Sequence, residues 1–293
     1  MISKGLLKLI LAASLAALLI VALFGCAPKR PSGVVQTTPK AAWQVFRQHY
    51  CTPSKSPGVL VKASLYYSRV RPTKRTNRTV VSMWGDFSGA MRLDISAGIG
   101  KLLAHIREDK NGLLVFYPSD KKAYAHTNPV LGATRLGMPF PFSLNELANV
   151  IVGNFSGLVT KRYSEAGRDK TNYVYQLDGG LVSSVTLDET GRPILLEGRT
   201  TKAYETARTW RLEINTYEES VGKTAPLPGR LTLAMDDGEK GVLRIKSREL
   251  KKVSWPTKST DLKLPDDIET IRLDNGSRST ENGDIPVVYE DKS

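Results

Sequence analysis

The chain has 293 residues, 41% of them hydrophobic, and carries 42 Lys and Arg against 29 Asp and Glu, a formal net charge of +13. Its length allows one domain with a substantial core. With only two cysteines, Cys26 and Cys51, a disulfide framework is excluded, and its three histidines, His49, His105 and His126, show neither metal-ligand nor catalytic-triad spacing.

The chain opens with Lys4 and Lys8, an almost wholly apolar run from Leu9 to Phe24, and Leu23-Phe24-Gly25-Cys26. A short basic start, an apolar stretch and a small residue before the break are the layout of a secretory signal over residues 1–25. The run also approaches the length of a membrane span. Its end resembles the lipobox of bacterial lipoproteins, which implies cleavage before Cys26 and lipid on the Cys26 thiol. One acyl chain anchors only marginally, at about 0.8 kcal/mol per buried methylene, so the several chains of such lipoproteins are needed for firm attachment. Ala27 stands where an Asp would resemble an inner-membrane retention signal, which favours the outer membrane. Residues 26–37 read as the lipidated cysteine and a flexible, proline-containing tether.

A domain over 38–255 follows. Thr38-Pro39 starts a helix, with Ala42, Val45, Phe46 and His49 at helical spacing and a breaker cluster over 52–58 ending it. In 59–69, Val59, Val61, Ala63, Leu65 and Tyr67 alternate with a mostly polar set, the period of a half-buried strand. Further strand runs are 79–86, 89–95, 101–108, 112–117 and 121–126, with short connections that imply antiparallel neighbours. Asn128-Pro129 begins a short helix to about Arg135. Gly137-Met138-Pro139-Phe140-Pro141 is a rigid linker, and Ser143 with Glu146 forms a capping box. Leu144, Leu147, Ala148 and Ile151 make one helix face, and Gly153 suits the C-terminal cap. Strand runs resume at 172–178, 181–187, 193–199, 208–216, 229–235 and 241–249. One large antiparallel sheet accounts for this order; it must curl, and the central helices are the cover for its apolar face.

Residues 256–293 are a polar, acidic tail, with packing left open for 261–273 and disorder expected for 275–293. Residues 261–293 hold nine acidic and four basic side chains, so the preceding chain is near +18. Such a body outside the cytosol points to anionic lipid or an acidic protein face, or is simply a solvated basic surface. The densest basic run, Arg69, Arg71, Lys74, Arg75 and Arg78, contains no acid and lies between two strands as an exposed hairpin loop. Cys51 reads as a small buried residue or as half of an intermolecular pair.

Motifs for chemistry are missing. There is no G-x-S-x-G, H-E-x-x-H or P-loop, and nothing marks a catalytic pair among Asp86, Asp94, Glu108 and Asp109. Neither an enzyme nor a cofactor is expected. By spacing alone, Ile99 opens the next strand and points inward, and Trp84 and Trp210 are core residues within strands.

Several segments together resemble the LolA/LolB fold group, and within it the outer-membrane lipoprotein receptors of the LolB family. They are Leu136-Gly137-Met138-Pro139-Phe140-Pro141 with the Leu144–Gly153 helix, and Asp94-Ile95-Ser96-Ala97-Gly98-Ile99-Gly100. Trp43 with Arg47-Gln48-His49, the strand tryptophans Trp84 and Trp210, and the last two strand segments (228–233 and 242–246) add to the likeness. The chain departs from the family pattern at Gly98, where a proline is usual, at Ile99 for leucine and at Val150 for tryptophan. Lys263–Ile268 instead resembles the ends of LolA-like chains.

The resemblance implies a mainly β fold: an incomplete antiparallel barrel of about eleven strands with a helical lid and an N-terminal helix. It further implies a concave face that binds acyl chains, with Leu65, Tyr67, Trp84, Met138, Leu147, Ile151 and Trp210 as lining candidates. Gly98, Ile99 and Gly100 would form a loop that enters the membrane. The implied role is that of a monomeric protein on the periplasmic face of the outer membrane, receiving lipoproteins from a LolA-like periplasmic carrier. The other reading is an envelope lipoprotein of the same fold that binds a different lipid or scaffolds a protein partner.

Overall fold

A computed structural model describes residues 38–70, 73–98, 100–138, 140–200, 207–219 and 225–274. The signal segment, Cys26, the tether, Ile99 and residues 275–293 lie outside the described residues. Thr38 caps α1 (Pro39–Tyr50): its hydroxyl accepts from the Ala41 N–H at 3.2 Å, and Pro39 stands where a missing N–H leaves no bond unmade. The buried face is Ala42, Trp43, Phe46 and Tyr50, so the helix is turned slightly from the expected one, with Trp43 and Tyr50 inward and Val45 and His49 at the flank.

Six strands then run outward as successive hairpins: β1 (Gly58–Arg69), β2 (Arg75–Asp86), β3 (Met91–Ala97), β4 (Lys101–Asp109), β5 (Gly112–Tyr117) and β6 (Lys122–His126). Two helices follow, α2 (Pro129–Arg135) and α3 (Leu144–Ile151). The chain re-enters the sheet at its opposite edge and runs back inward through β7 (Glu165–Asp169), β8 (Asn172–Gln176), β9 (Val182–Leu187), β10 (Pro193–Arg199), β11 (Thr209–Glu218), β12 (Leu227–Met235) and β13 (Lys240–Leu250). There β13 pairs antiparallel with β1 and joins the two halves. The tail adds α4 (Thr257–Thr260) and β14 (Thr270–Arg272), which pairs parallel with β6.

Among the described residues the sheet is thus open and 14-stranded rather than about eleven-stranded. The strands that the sequence runs do not predict, β7 and β14, have no apolar alternation: β7 (EAGRD) is exposed at every position, and β14 has three residues. An open sheet this wide must curl. The curl can be read from α3, which packs on both β3 and β12, strands separated by three others. Laid flat, β3 and β12 would be about 19 Å apart at ~4.8 Å per strand. An eight-residue helix is only about 12 Å long, so the sheet must bend around it.

The helices are the crossover between the two sheet edges, so they lie over the concave face. Both ends of α3 are bound to the sheet. At its N-terminus, the Ser143 hydroxyl accepts from the Glu146 N–H, and the Glu146 carboxylate accepts from the Ser143 N–H at 2.8 Å. Glu108 of β4 accepts from the N–H groups of Leu144 and Asn145 at 2.7 and 3.2 Å. Burial pushes the Glu108 carboxyl above its ordinary range, while these two N–H donors pull the other way. At the C-terminus, Arg248 of β13 donates to the Ile151 carbonyl at 2.5 Å. A carboxylate at the start and a guanidinium at the end match the helix dipole. Gly153, at φ +78°, turns the chain away beyond the helix.

Cys51 is buried, and burial pushes its thiol up to about 12, as suits a small residue of the core.

Two predictions follow from how the helices are held. Glu108→Ala leaves two helix N–H groups without their acceptor and should lower unfolding stability by about 2–3 kcal/mol. Ser143→Ala removes one cap bond and should cost about 1 kcal/mol. Urea unfolding with unchanged m-values measures both.

His126, buried at the entry to α2, accepts the Asn128 N–H on Nδ1 at 2.8 Å. Burial holds its pKa below the ordinary imidazole value; Arg135 and Arg272 act in the same direction and Asp274 opposes them. The unfolded chain therefore binds this proton more tightly. Stability should fall as pH drops below about 6.5 and keep falling until the folded-state pKa is passed. That component should be missing from the pH profile of His126→Asn.

Candidate functional site: a lidded apolar cavity

The concave face is divided in two. Over the half built from β8 to β11, aromatic rings fill the space. Trp43 of α1 packs on Tyr163 and Tyr175 at centroid distances of 5.2 and 4.8 Å, Phe46 meets Phe155 at 6.3 Å, and the Tyr175 hydroxyl donates to the Pro39 carbonyl at 2.6 Å. Phe142, just before α3, stands edge-on to Trp210 at 5.7 Å.

Over the half built from β1 to β5 and β13, the helices stand clear of the strands and enclose a cavity of about 350 Å³. A water needs only about 10–15 Å³ of such space, so this is room for an organic ligand. Alternate residues of each strand share one face. That parity supplies the floor: Val61, Ala63, Leu65 and Tyr67 on β1, Thr79, Val81 and Met83 on β2, Leu93 and Ile95 on β3, Ala104 and Ile106 on β4. The ceiling is Ala133 of α2, Leu136, Met138 and Phe140 of the linker, and Leu144, Leu147 and Ile151 of α3.

Polar groups on the wall are mostly engaged. Glu108 serves the N-terminus of α3. The Thr79 hydroxyl donates to the Leu65 carbonyl at 3.5 Å. The Glu239 carboxylate lies 3.4 Å from Arg208; burial, with the Glu239 charge acting in the same direction, raises the Tyr67 phenol well above its ordinary value. Arg69 and Arg75, with Asn77, line the end nearest the β1–β2 turn.

Five of the lining candidates, Leu65, Tyr67, Met138, Leu147 and Ile151, lie together on this wall. Trp84 does not. The β1–β2 register pairs it with Leu60 on the convex face, where its Nε1 donates to the Ser259 carbonyl at 2.8 Å and its ring carries the Arg92 guanidinium at 5.3 Å. Trp210 faces the concave side but is sealed beneath Phe142, only 1% exposed, and lies outside the cavity lining.

The sequence reading missed Val81, Met83, Leu93 and Ile106. Their alternation was visible, but the register that turns them inward was not. The acids Asp86, Asp94, Glu108 and Asp109 take separate partners: the Trp255 N–H, Arg92 with His105, the α3 N-terminus and Arg107. Gly98 and Gly100 have positive φ, +51° and +83°, with open space where a Cβ would stand. Ile99 between them lies outside the described residues.

Comparison with protein-family models and with curated proteins gives no match. Solved structures do match. A LolA superfamily protein from Nitrosomonas europaea is 13% identical, with a TM-score of 0.52 over 77% of this chain and 98% of that one. A DUF1329 family protein from Desulfovibrio piger is 10% identical, with a TM-score of 0.50 over 76% of this chain and 96% of that one. At such identities the likeness speaks for the fold alone.

Proposed function

We propose that this chain is a lipid-anchored envelope protein whose cavity binds acyl chains, and that it takes lipoproteins from a LolA-like periplasmic carrier and passes them to the outer membrane. The observation that carries the reading is the cavity of about 350 Å³, walled by aliphatic and aromatic side chains and roofed by two helices. Hydrocarbon tails need a dry surface, and apolar burial binds them with little directionality, at about 25 cal/mol per Å². Branched aliphatic groups and the flexible side chains of Met83 and Met138 suit tails that adopt many conformations.

The buried carboxylate on the wall is committed to the helix above it, which supports binding rather than catalysis as the cavity's role. Attachment rests on the signal layout over residues 1–25 and on Gly25-Cys26. In this scheme the tether holds the domain at the membrane while the cavity accepts tails from a soluble donor. Transfer needs no nucleotide if the receiving cavity binds the tails better than the donor does.

The test uses protein beginning at residue 27, which keeps the compact unit from Thr37 onward complete. The uncharged dye 1-N-phenylnaphthylamine should bind with increased fluorescence, and a synthetic triacylated lipopeptide should displace it. Leu65→Trp, which places a large ring in the floor, should weaken dye binding at least about tenfold while the protein stays folded. An unaltered dye affinity in that variant would remove the cavity from the function. Full-length Cys26→Ser should leave the membrane fraction, and no transfer of a labelled lipoprotein from a carrier would leave only lipid binding.

A further inference from the structure

The cavity wall is not uniform along β1. Val61, Ala63, Leu65 and Tyr67 are followed on the same face by Arg69. Across the hairpin, Arg69 is paired in register with Arg75, which also lines the cavity. Two cations directly opposite each other on neighbouring strands repel and destabilise the hairpin. Neither has an acidic partner among the described residues. Of the two acids on the wall, Glu108 holds the α3 N-terminus and Glu239 lies 3.4 Å from Arg208. Arg78 and Arg244, which flank β1, lie over the Tyr66 ring on the convex face, at 5.4 and 5.6 Å. Two guanidinium groups without an ion pair among the described residues, Arg69 half-buried and Arg75 exposed, therefore stand at the mouth of an apolar cavity.

The dimensions fit an acyl chain of membrane length. Val61 to Tyr67 covers about 20 Å at ~3.3 Å per residue. One leaflet of a bilayer's hydrocarbon core is about 15 Å thick. A membrane-lipid tail can thus lie along the apolar stretch with its headgroup beside Arg69 and Arg75. Guanidinium groups bind phosphate oxygens through paired, charge-assisted hydrogen bonds.

The geometry points to an anionic phospholipid as a ligand of this cavity, its tails under the α2–α3 lid and its phosphate held between Arg69 and Arg75. This rests on the acyl-chain reading above and narrows it. The acylated cysteine of a lipoprotein carries no phosphate, so the arginine pair has no part in holding that cargo and serves a phospholipid bound when the cargo is absent. The mouth thereby becomes a filter on headgroup charge.

The experiment measures uptake from donor vesicles by protein beginning at residue 27, using pyrene-labelled phosphatidylglycerol and phosphatidylcholine with identical chains. Phosphatidylglycerol should be taken up about tenfold more effectively. In Arg69→Gln/Arg75→Gln, its uptake should fall to the phosphatidylcholine level, a larger loss than any change in the affinity for 1-N-phenylnaphthylamine. The double variant should also be at least as stable to urea as the original, because the repulsion is gone; a merely structural role for the pair would lower stability instead.

Equal uptake of the two lipids, or a preference that survives in the variant, overturns the headgroup inference and leaves the acyl-chain reading standing. Adsorption to phosphatidylglycerol vesicles without extraction of lipid overturns it in favour of surface contact. Binding of inorganic phosphate with no lipid preference overturns it in favour of a free anion. Failure of the unmodified protein to bind either the dye or any lipid sinks both readings.

Discussion

The two ends of α3 are gripped by side chains of the sheet beneath it, and the cavity depends on that grip. Glu108 and Arg248 come from β4 and β13, on either side of the β1–β2 hairpin in the sheet. Each bonds backbone groups that a short helix leaves unpaired. An isolated helix of eight residues has almost no stability of its own, because nucleation is costly. Here the bonds at its termini replace the missing length. They hold the helix as a strut across the curled sheet, and Leu144, Leu147 and Ile151 form a roof rather than collapsing onto the floor.

The route of the chain explains why a roof exists. Strands β1 to β6 spread outward on one side, and β7 to β13 return inward from the other edge. The segment between β6 and β7 must traverse the concave face, so the helices it contains cannot pack elsewhere. The remaining apolar surface is shared unequally. Rings from α1, with Phe142 and Phe155, fill the half over β8 to β11, whereas the half over β1 to β5 is left to the cavity. A plugged half supplies the packing that stability requires, and an open half supplies volume for a ligand. The tail strengthens the convex side: Trp84, Arg92 and Arg107 each donate to carbonyls within 259–261.

Local signals were legible where one physical rule acted alone. Thr38-Pro39, Asn128-Pro129 and the Ser143–Glu146 box start helices at the positions read from the sequence, because capping is a matter of a few neighbouring atoms. Alternation in β1 separated Val61, Leu65 and Tyr67 from their polar neighbours, and all three lie on the cavity wall. In β2, Val80, Val81, Met83 and Trp84 put apolar groups on both faces, so alternation could not say which set was inward. Trp84 is convex because its register partner is Leu60, a fact carried by the β1–β2 pairing. Trp210 is inward yet sealed, because Phe142 comes from a segment far along the chain.

The sequence by itself determined the antiparallel pairing of the strands it revealed, the helix starts and the signal layout before Cys26. These follow from short-range periodicity, capping chemistry and composition. The basic run read as an exposed loop instead places Arg69 in β1 and Arg75 and Arg78 in β2. Only the tertiary structure decided that β13 closes on β1, that α3 spans from β3 to β12, and that Arg69 and Arg75 share an inward face at one end of an apolar hollow. Those facts depend on register and on contacts between residues distant in the chain. No local pattern encodes them, since a shift of one residue in pairing would turn every side chain of a strand to the opposite face.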